Sequence, residues 1–352
     1  MGAFDGETLA DRFRNHFGHT DHLYGALLAG MADDWEVGGV TRELFEGWED
    51  APARQMPQLR LLAGLFRVVL RGEEPQLVGF YPALGGDLDH RDAWGVARPV
   101  LANHVEELRR SLEEAPQTNE PARSVALLVG LSQAVRRTGL RRVRLLEPGA
   151  SGGLGLLVDH YRFVGDGWAA GPVESRLVVE GCGAEGFQPA RFEVVERRGC
   201  DVAPVDAASE EGAAYLRSFV WPWQVDRHER LASALQVCRE HGVTVDRAEA
   251  SAWVAEQLSA PVDEDVLTVV WHSVTRLYWP AEETAAMDAA VEEARRRMPV
   301  AHVALEHRWD AAPGEDDPGM PLLEVDGTVV ATCDHHGPPV QLNSGVEPLR
   351  TP

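Results

Sequence analysis

Four polar residues, Gln117-Thr118-Asn119-Glu120, with Arg123 one turn further on, form the densest polar cluster in the first half of this 352-residue chain. A carboxylate at Glu120 could take a proton from a nucleophile or bind an amine. Arg123 could hold a carboxylate through two parallel hydrogen bonds, and Asn119 would add an amide to the same substrate face. The pattern also reads as a helix start capped by Thr118 or Asn119, with a structural Glu–Arg pair behind it. Both readings stay open at this point.

Three histidines form another set of candidates. His272 follows Trp271 at the end of "VVWHSV", a buried strand by its apolar run. A neutral imidazole there could accept a proton from a nucleophile; the alternative is a hydrogen-bonded core histidine. His335 and His336 stand side by side in "CDHHG". Neighbours on a strand point to opposite faces, so one is expected in the pocket and the other in solvent. Two such residues do not share a metal ion, and no H-x-x-x-H partner exists, so no metal is expected. His16, His19 and His22 read as a surface face. Trp221 and Trp223 around Pro222 read as core packing.

A glycine-rich turn supplies the other candidate. "RRVRLLEPGASGGLGLLVDHY" runs from Arg141 to Tyr161. A short buried strand ends at Glu147, then come Gly149, Ser151 and Gly153, and Leu154, Leu156 and Leu157 open a helical pattern. Such a turn lets a ligand approach the backbone beside a helix N-terminus; it also serves close strand–helix packing alone.

Composition narrows the partners. The net charge is −23, from 33 Lys+Arg against 56 Asp+Glu. This argues against nucleic acid and anionic membrane surfaces, which need clustered cations. The arginines between 136 and 144 read as a solvated helix end. No apolar run spans a bilayer, and the first residues lack a signal-peptide pattern. The four cysteines are scattered, as in a reduced cytoplasmic protein. A small-molecule substrate remains as the partner; oligomeric state is not legible.

Residues 1–138 read as helices joined by polar loops, and 139–352 as strands alternating with helices, with a β-ribbon insertion near 161–190. That alternation predicts a mostly parallel sheet covered by helices, whose ligands sit at the carboxyl ends of the strands. Glu147, Asp201, Asp246 and His272 all fall at such ends. Asp326–Gly327 is a hairpin signal.

This layout resembles the class I S-adenosylmethionine-dependent methyltransferase fold: a Rossmann-like sheet, here behind an N-terminal all-helical domain. The resemblance implies that Glu147, Gly149, Ser151 and Gly153 cradle the donor, that Asp201 takes the ribose hydroxyls, and that Asp246 lies near the adenine. It puts Trp271 and His272 over the substrate. More narrowly, "PQTNEPARS", "LLEPGASGGLGLLVDHYRF", "RRGCDVAPVD", "SFVWPWQVDRHERL" and "VVWHSV" resemble the bacterial family of unknown function numbered 2332. The expected function is nucleophilic substitution on a small molecule, first as S-adenosylmethionine-dependent methyl transfer, with Glu120, His272 and His336 as acid–base groups and Asn119, Arg123, Trp271 and His335 around the substrate. A donor-free intramolecular substitution or ring closure in natural-product biosynthesis is the alternative, and a non-catalytic scaffold the third. No G-x-S-x-G elbow supports a hydrolase.

Overall fold

The aliphatic runs become strands in chain order: β1 (Arg142–Pro148), β2 (Arg162–Gly165), β3 (Trp168–Ala170), β4 (Val178–Val179), β5 (Glu193–Asp201), β6 (Val245–Arg247), β7 (Val266–Ser273), β8 (Val300–Glu306), β9 (Leu322–Val325), β10 (Thr328–Asp334) and β11 (Gly337–Leu342). The computed structural model describes residues 8–17, 20–52, 55–260, 263–307 and 319–343. Eight strands form one mixed sheet in the order β11-β10-β9-β8-β7-β1-β5-β6. The five from β6 to β8 are parallel, and β9, β10 and β11 extend the edge as an antiparallel meander. The chain works outward from β1 through β5 to β6, then returns to add β7 and β8 on the other side. The order reverses between β1 and β7, which is where open α/β sheets bind ligands.

Alternation along the strands sorts the side chains between two faces. Leu146 and Val270, paired in register, join Trp253, Val254, Leu258, Met287 and Val291 in one apolar cluster. The last five come from the helices Ala250–Ser259 and Ala281–Arg295. Each such side chain, fully buried, contributes about 1.5–3 kcal/mol relative to exposure. On the other face lies the helix Ser124–Thr138; a Cβ on its Gly130 would come within 2.3 Å of Val303 Cγ1. β2, β3 and β4 form a separate three-stranded sheet, the expected insertion. The Asp326–Gly327 hairpin forms as predicted, with φ positive at both residues.

Two compact units result: Met1–Thr118 with Ala213–Glu229, and Asn119–Gly212 with Arg230–Pro352. The division departs from 1–138 and 139–352 in two ways. The helix Ser124–Thr138 is buried almost all round and belongs with the sheet it covers. Residues 213–229 leave the sheet unit and complete the helical one. The helical unit packs Phe13, Leu27, Leu28, Met31, Leu61, Leu65 and Phe66 into one core, with Trp223 against it. No described helix is long and apolar enough to cross a membrane.

A further departure concerns the segment after the glycine-rich turn. The leucine spacing predicts an α-helix there. The structure holds a seven-residue 3₁₀ segment, Leu154–His160, with Leu157 outside helical dihedrals. Leu154, Leu156, Leu157 and Val158 are all buried, so the apolar residues are spread around the segment and suit a tight, irregular turn. The helix N-terminus expected to face a ligand is not built.

Candidate functional site

The turn after β1 is held from several sides. Gly149 and Ala150 donate their N–H groups to the Cys200 carbonyl at 2.8 and 3.0 Å, and Gly153 donates to the Ala150 carbonyl at 2.7 Å. Ser151 N–H goes to Asp201 Oδ2 at 2.9 Å, and Leu154 N–H to Asn119 Oδ1 at 3.2 Å. Asn119 returns a bond from Nδ2 to the Ala150 carbonyl at 3.0 Å. Asn119 therefore clamps the turn and does not cap the helix that follows it in sequence. The glycines admit protein rather than open space. A Cβ on Gly149 would come within 2.6 Å of Thr275 Cγ2, and one on Gly153 within 2.9 Å of Val243 and Val245 methyls.

Two non-glycine residues beside the switch point adopt left-handed backbone: Ser151 with φ 54° and the β-branched Val274 with φ 53°. Such conformations cost free energy and cluster where structure serves function. Val274 donates its N–H to the Leu305 carbonyl at 2.9 Å, which sets Thr275 over Gly149.

The three strand-end acids each have protein partners. Asp201 Oδ1 accepts the Ala203 N–H at 2.9 Å, so both its oxygens hold backbone. Asp246 takes Arg198 Nε at 2.9 Å and Trp253 Nε1 at 2.7 Å. Burial pushes it up, but these two bonds outweigh burial and hold it below the usual range. Glu147 accepts Trp271 Nε1 at 3.1 Å and is buried. Burial pushes it up to about 8, against the Trp271 bond and with help from the Asp201 charge. At neutral pH it is mainly a neutral acid.

The Gln117–Arg123 cluster converges with parts distant in sequence. Glu120 caps the 3₁₀ turn Pro121–Arg123, accepting Ala122 N–H at 3.3 Å. Its side chain is 2 % exposed, and its Oε1 lies 3.6 Å from Arg230 Nε. Arg123 donates from Nε to the His335 carbonyl at 2.7 Å, and its charge acts on Tyr278. Gly337 lies so close to the Ala122 backbone that a Cβ would be 2.5 Å from it. One segment, 119–123, thus ties the β1 turn to the β10–β11 turn. His335 and His336 sit in that second turn and not on a strand, and both are half-buried, so neither faces solvent alone. His335 Nδ1 meets His307 Nε2 at 3.2 Å.

His272 lies in another network. It is 0 % exposed. Its Nδ1 meets Glu306 Oε1 at 2.7 Å and its Nε2 meets His302 Nε2 at 2.9 Å. Between the two Nε2 atoms one carries the proton and the other accepts it. Glu306 also accepts Thr275 N–H, Thr275 Oγ1–H and Arg276 N–H at 3.1–3.3 Å. Burial raises Glu306, but the His272 bond and charge with the backbone donors outweigh it and hold it low. Burial first, then the charges of His272, Arg276 and Arg295, keep His302 far below its usual range. The network fixes the β7–Thr275 corner over the glycine turn.

Arg230, His302 and Glu306 are not among the residues singled out from sequence. His302 and Glu306 carried a signal: four apart on one strand, they share a face. Arg230 carried none, because only the fold brings it to Glu120. Elsewhere, Glu73, His104 and Glu107 stand close enough for a metal ion. Arg71 already binds both carboxylates there, so the cluster has its cation. Trp221 and Trp223 pack with Phe17 as expected, and Trp223 stacks on His22 at 4.2 Å; His19 lies outside the described residues.

Residues 10–341 match the family model described as an uncharacterized protein conserved in bacteria, DUF2332, and the chain belongs to that family. No curated protein and no solved structure matches it.

Proposed function

We propose that this DUF2332 protein is an enzyme catalysing nucleophilic substitution on a small molecule, with Glu120 as the base and without a methyl donor. One observation carries the reading. Glu120 is a buried carboxylate placed 3.6 Å from Arg230 Nε, on the segment that Asn119 clamps to the turn at the switch point. Its carboxylate would take the proton of an N–H or O–H nucleophile. The nucleophile–carbon bond forms as the carbon–leaving-group bond breaks, and the leaving group departs with the electron pair as an anion. Arg230 beside Glu120 and Arg123 on the same segment are the cations that would meet that charge. Such displacements depend on alignment more than on covalent chemistry, which suits a rigidly tied segment. His272, enclosed between Glu306 and His302, positions the Thr275 corner and does not touch substrate.

The residues at the turn do not fit S-adenosylmethionine well. The donor needs acceptors for its ribose hydroxyls and ammonium, and donors for its carboxylate. Asp201 holds two backbone N–H groups, Asp246 holds Arg198 and Trp253, and Glu147 is buried against Trp271. The N–H groups of Gly149, Ala150, Ser151, Gly153 and Leu154 all have protein acceptors. The methyl-transfer reading keeps one observation in its favour: the parallel strands follow the doubly wound order with acids at the ends of the first three.

Calorimetric titration with S-adenosylmethionine and its demethylated product separates the two. No heat of binding is expected. Micromolar binding would overturn the donor-free reading and favour methyl transfer. In parallel, mass spectrometry of extracts incubated with the protein should show loss of a leaving group that Glu120→Gln abolishes; a product formed equally by the variant would remove Glu120 as the base.

A further inference from the structure

The helical unit contains a second polar cluster, unlike the first. Tyr24 and Tyr81 are 3 % and 0 % exposed, and neither hydroxyl has a hydrogen-bond partner among the described residues. The two phenols are close enough to act on one another electrostatically. Tyr81 stacks on Phe66 at 4.5 Å, and Phe66 also meets the ring of His228 edge-on at 5.6 Å. His228 is 3 % exposed; the carbonyls of Trp221 and Val220 lie near it, yet neither ring nitrogen makes a hydrogen bond of good geometry. Arg217 comes next. Its Nε is buried and without a partner, and no acidic side chain among the described residues pairs with it.

The charges here have one sign. Burial first, then the positive charges of Arg217 and Arg227, push His228 down to about 4, so it is neutral. Burial alone lowers Arg217. Burial, neighbouring cations, the other phenol and backbone carbonyls are the main influences on the four groups, and no carboxylate is among them. This stands against a net charge of −23 for the whole chain. Buried polar groups are normally paired; Arg217 is half-buried, and its buried Nε is left with an unused donor. A guanidinium, an imidazole N–H and two phenol O–H groups are hydrogen-bond donors, the complement of an oxygen anion. A metal cation would find no carboxylate and no thiolate.

We propose that Arg217, His228, Tyr24 and Tyr81 form a binding site for an oxyanion, the carboxylate, sulfate or phosphate group of a small molecule. The site belongs to the helical unit and does not rest on the reading of Glu120. It also gives residues 213–229 a reason to leave the sheet unit, since they carry Arg217 and His228.

The test is calorimetric titration of the full-length chain with acetate, sulfate and inorganic phosphate, each against chloride at matched ionic strength. Saturable binding of at least one anion is expected, weakened tenfold or more in Arg217→Gln. Tyr24→Phe and Tyr81→Phe keep the ring volume, so their double variant should fold while binding several-fold more weakly. It decides the matter if Arg217→Gln fails to fold. Glu120→Gln should bind as the unmutated chain does, which separates this site from the proposed base. Preference for acetate assigns a carboxylate ligand; preference for sulfate or phosphate assigns a tetrahedral oxyanion. No saturable binding, or equal binding by the variants, overturns the proposal.

Discussion

The corner between β1 and β7 and the Tyr24–Tyr81–His228 patch are both buried and polar, yet they are built oppositely. At the corner, Asp201, Asp246, Glu306 and His272 each have protein partners within 3.3 Å, and one acid oxygen, Glu147 Oε2, is buried without one. In the patch, four side chains carry buried atoms without one. A satisfied network in a low dielectric is rigid and holds one geometry; an unsatisfied one has capacity left for a ligand. The corner is therefore mainly architecture that aims other residues, and the patch keeps buried donors for a ligand. The most sequence-conspicuous feature, the glycine-rich turn, falls on the architectural side.

The contrast is broken most directly at Glu306. Glu306→Ala removes the acceptor of His272, Thr275 and Arg276 at once, and should cost about 3–5 kcal/mol in denaturant unfolding. A loss under about 1 kcal/mol would mean the network is not structural. The second test uses pH. Glu147 has its folded value raised to about 8. A raised group favours the fold below its unfolded value and loses that contribution as pH climbs through 8. Glu306, held low, acts in the opposite sense, and its contribution fades as pH falls through its folded value. Glu147→Gln should therefore flatten the alkaline limb only, by on the order of 2 kcal/mol between pH 5 and pH 9. An unchanged alkaline limb would contradict the burial argument.

Smaller effects sharpen the comparison. Asp201→Ala deprives the Ser151 and Ala203 N–H groups of their acceptor, and should cost about 1–2 kcal/mol. A neutral outcome would release Asp201 from its structural role and return it to ligand binding. Glu120→Gln preserves shape and should change unfolding by less than about 1 kcal/mol, while removing any turnover.

The central strands are readable in the sequence because buried parallel strands are continuous apolar runs, and β7 is buried at seven consecutive positions from Val266 to His272. β11 is not, because Pro338 and Pro339 read as breakers; it exists as the outermost strand, where a missing N–H costs no ladder bond. His335 and His336 read as strand residues for the same reason, since the turn after Asp334 becomes visible only once β11 is paired. Glu120 and Arg123 stand out by composition, but Arg230 is more than a hundred residues away and no local pattern links it to them. The unpartnered patch is illegible in sequence. Tyr24, Tyr81, Arg217 and His228 are ordinary residues individually, and their lack of partners is a property of three dimensions.

The excursion of residues 213–229 has a consequence in time. The helical unit needs Trp223 on His22 and His228 on Phe66 to complete its core. Its first 118 residues therefore leave the ribosome unfinished. At roughly 5–20 residues per second, the missing pieces follow on the order of ten seconds later. Throughout that interval Phe13, Leu27 and Phe66 belong to an incomplete core, and the nascent chain presents an apolar surface to whatever chaperones attend its synthesis.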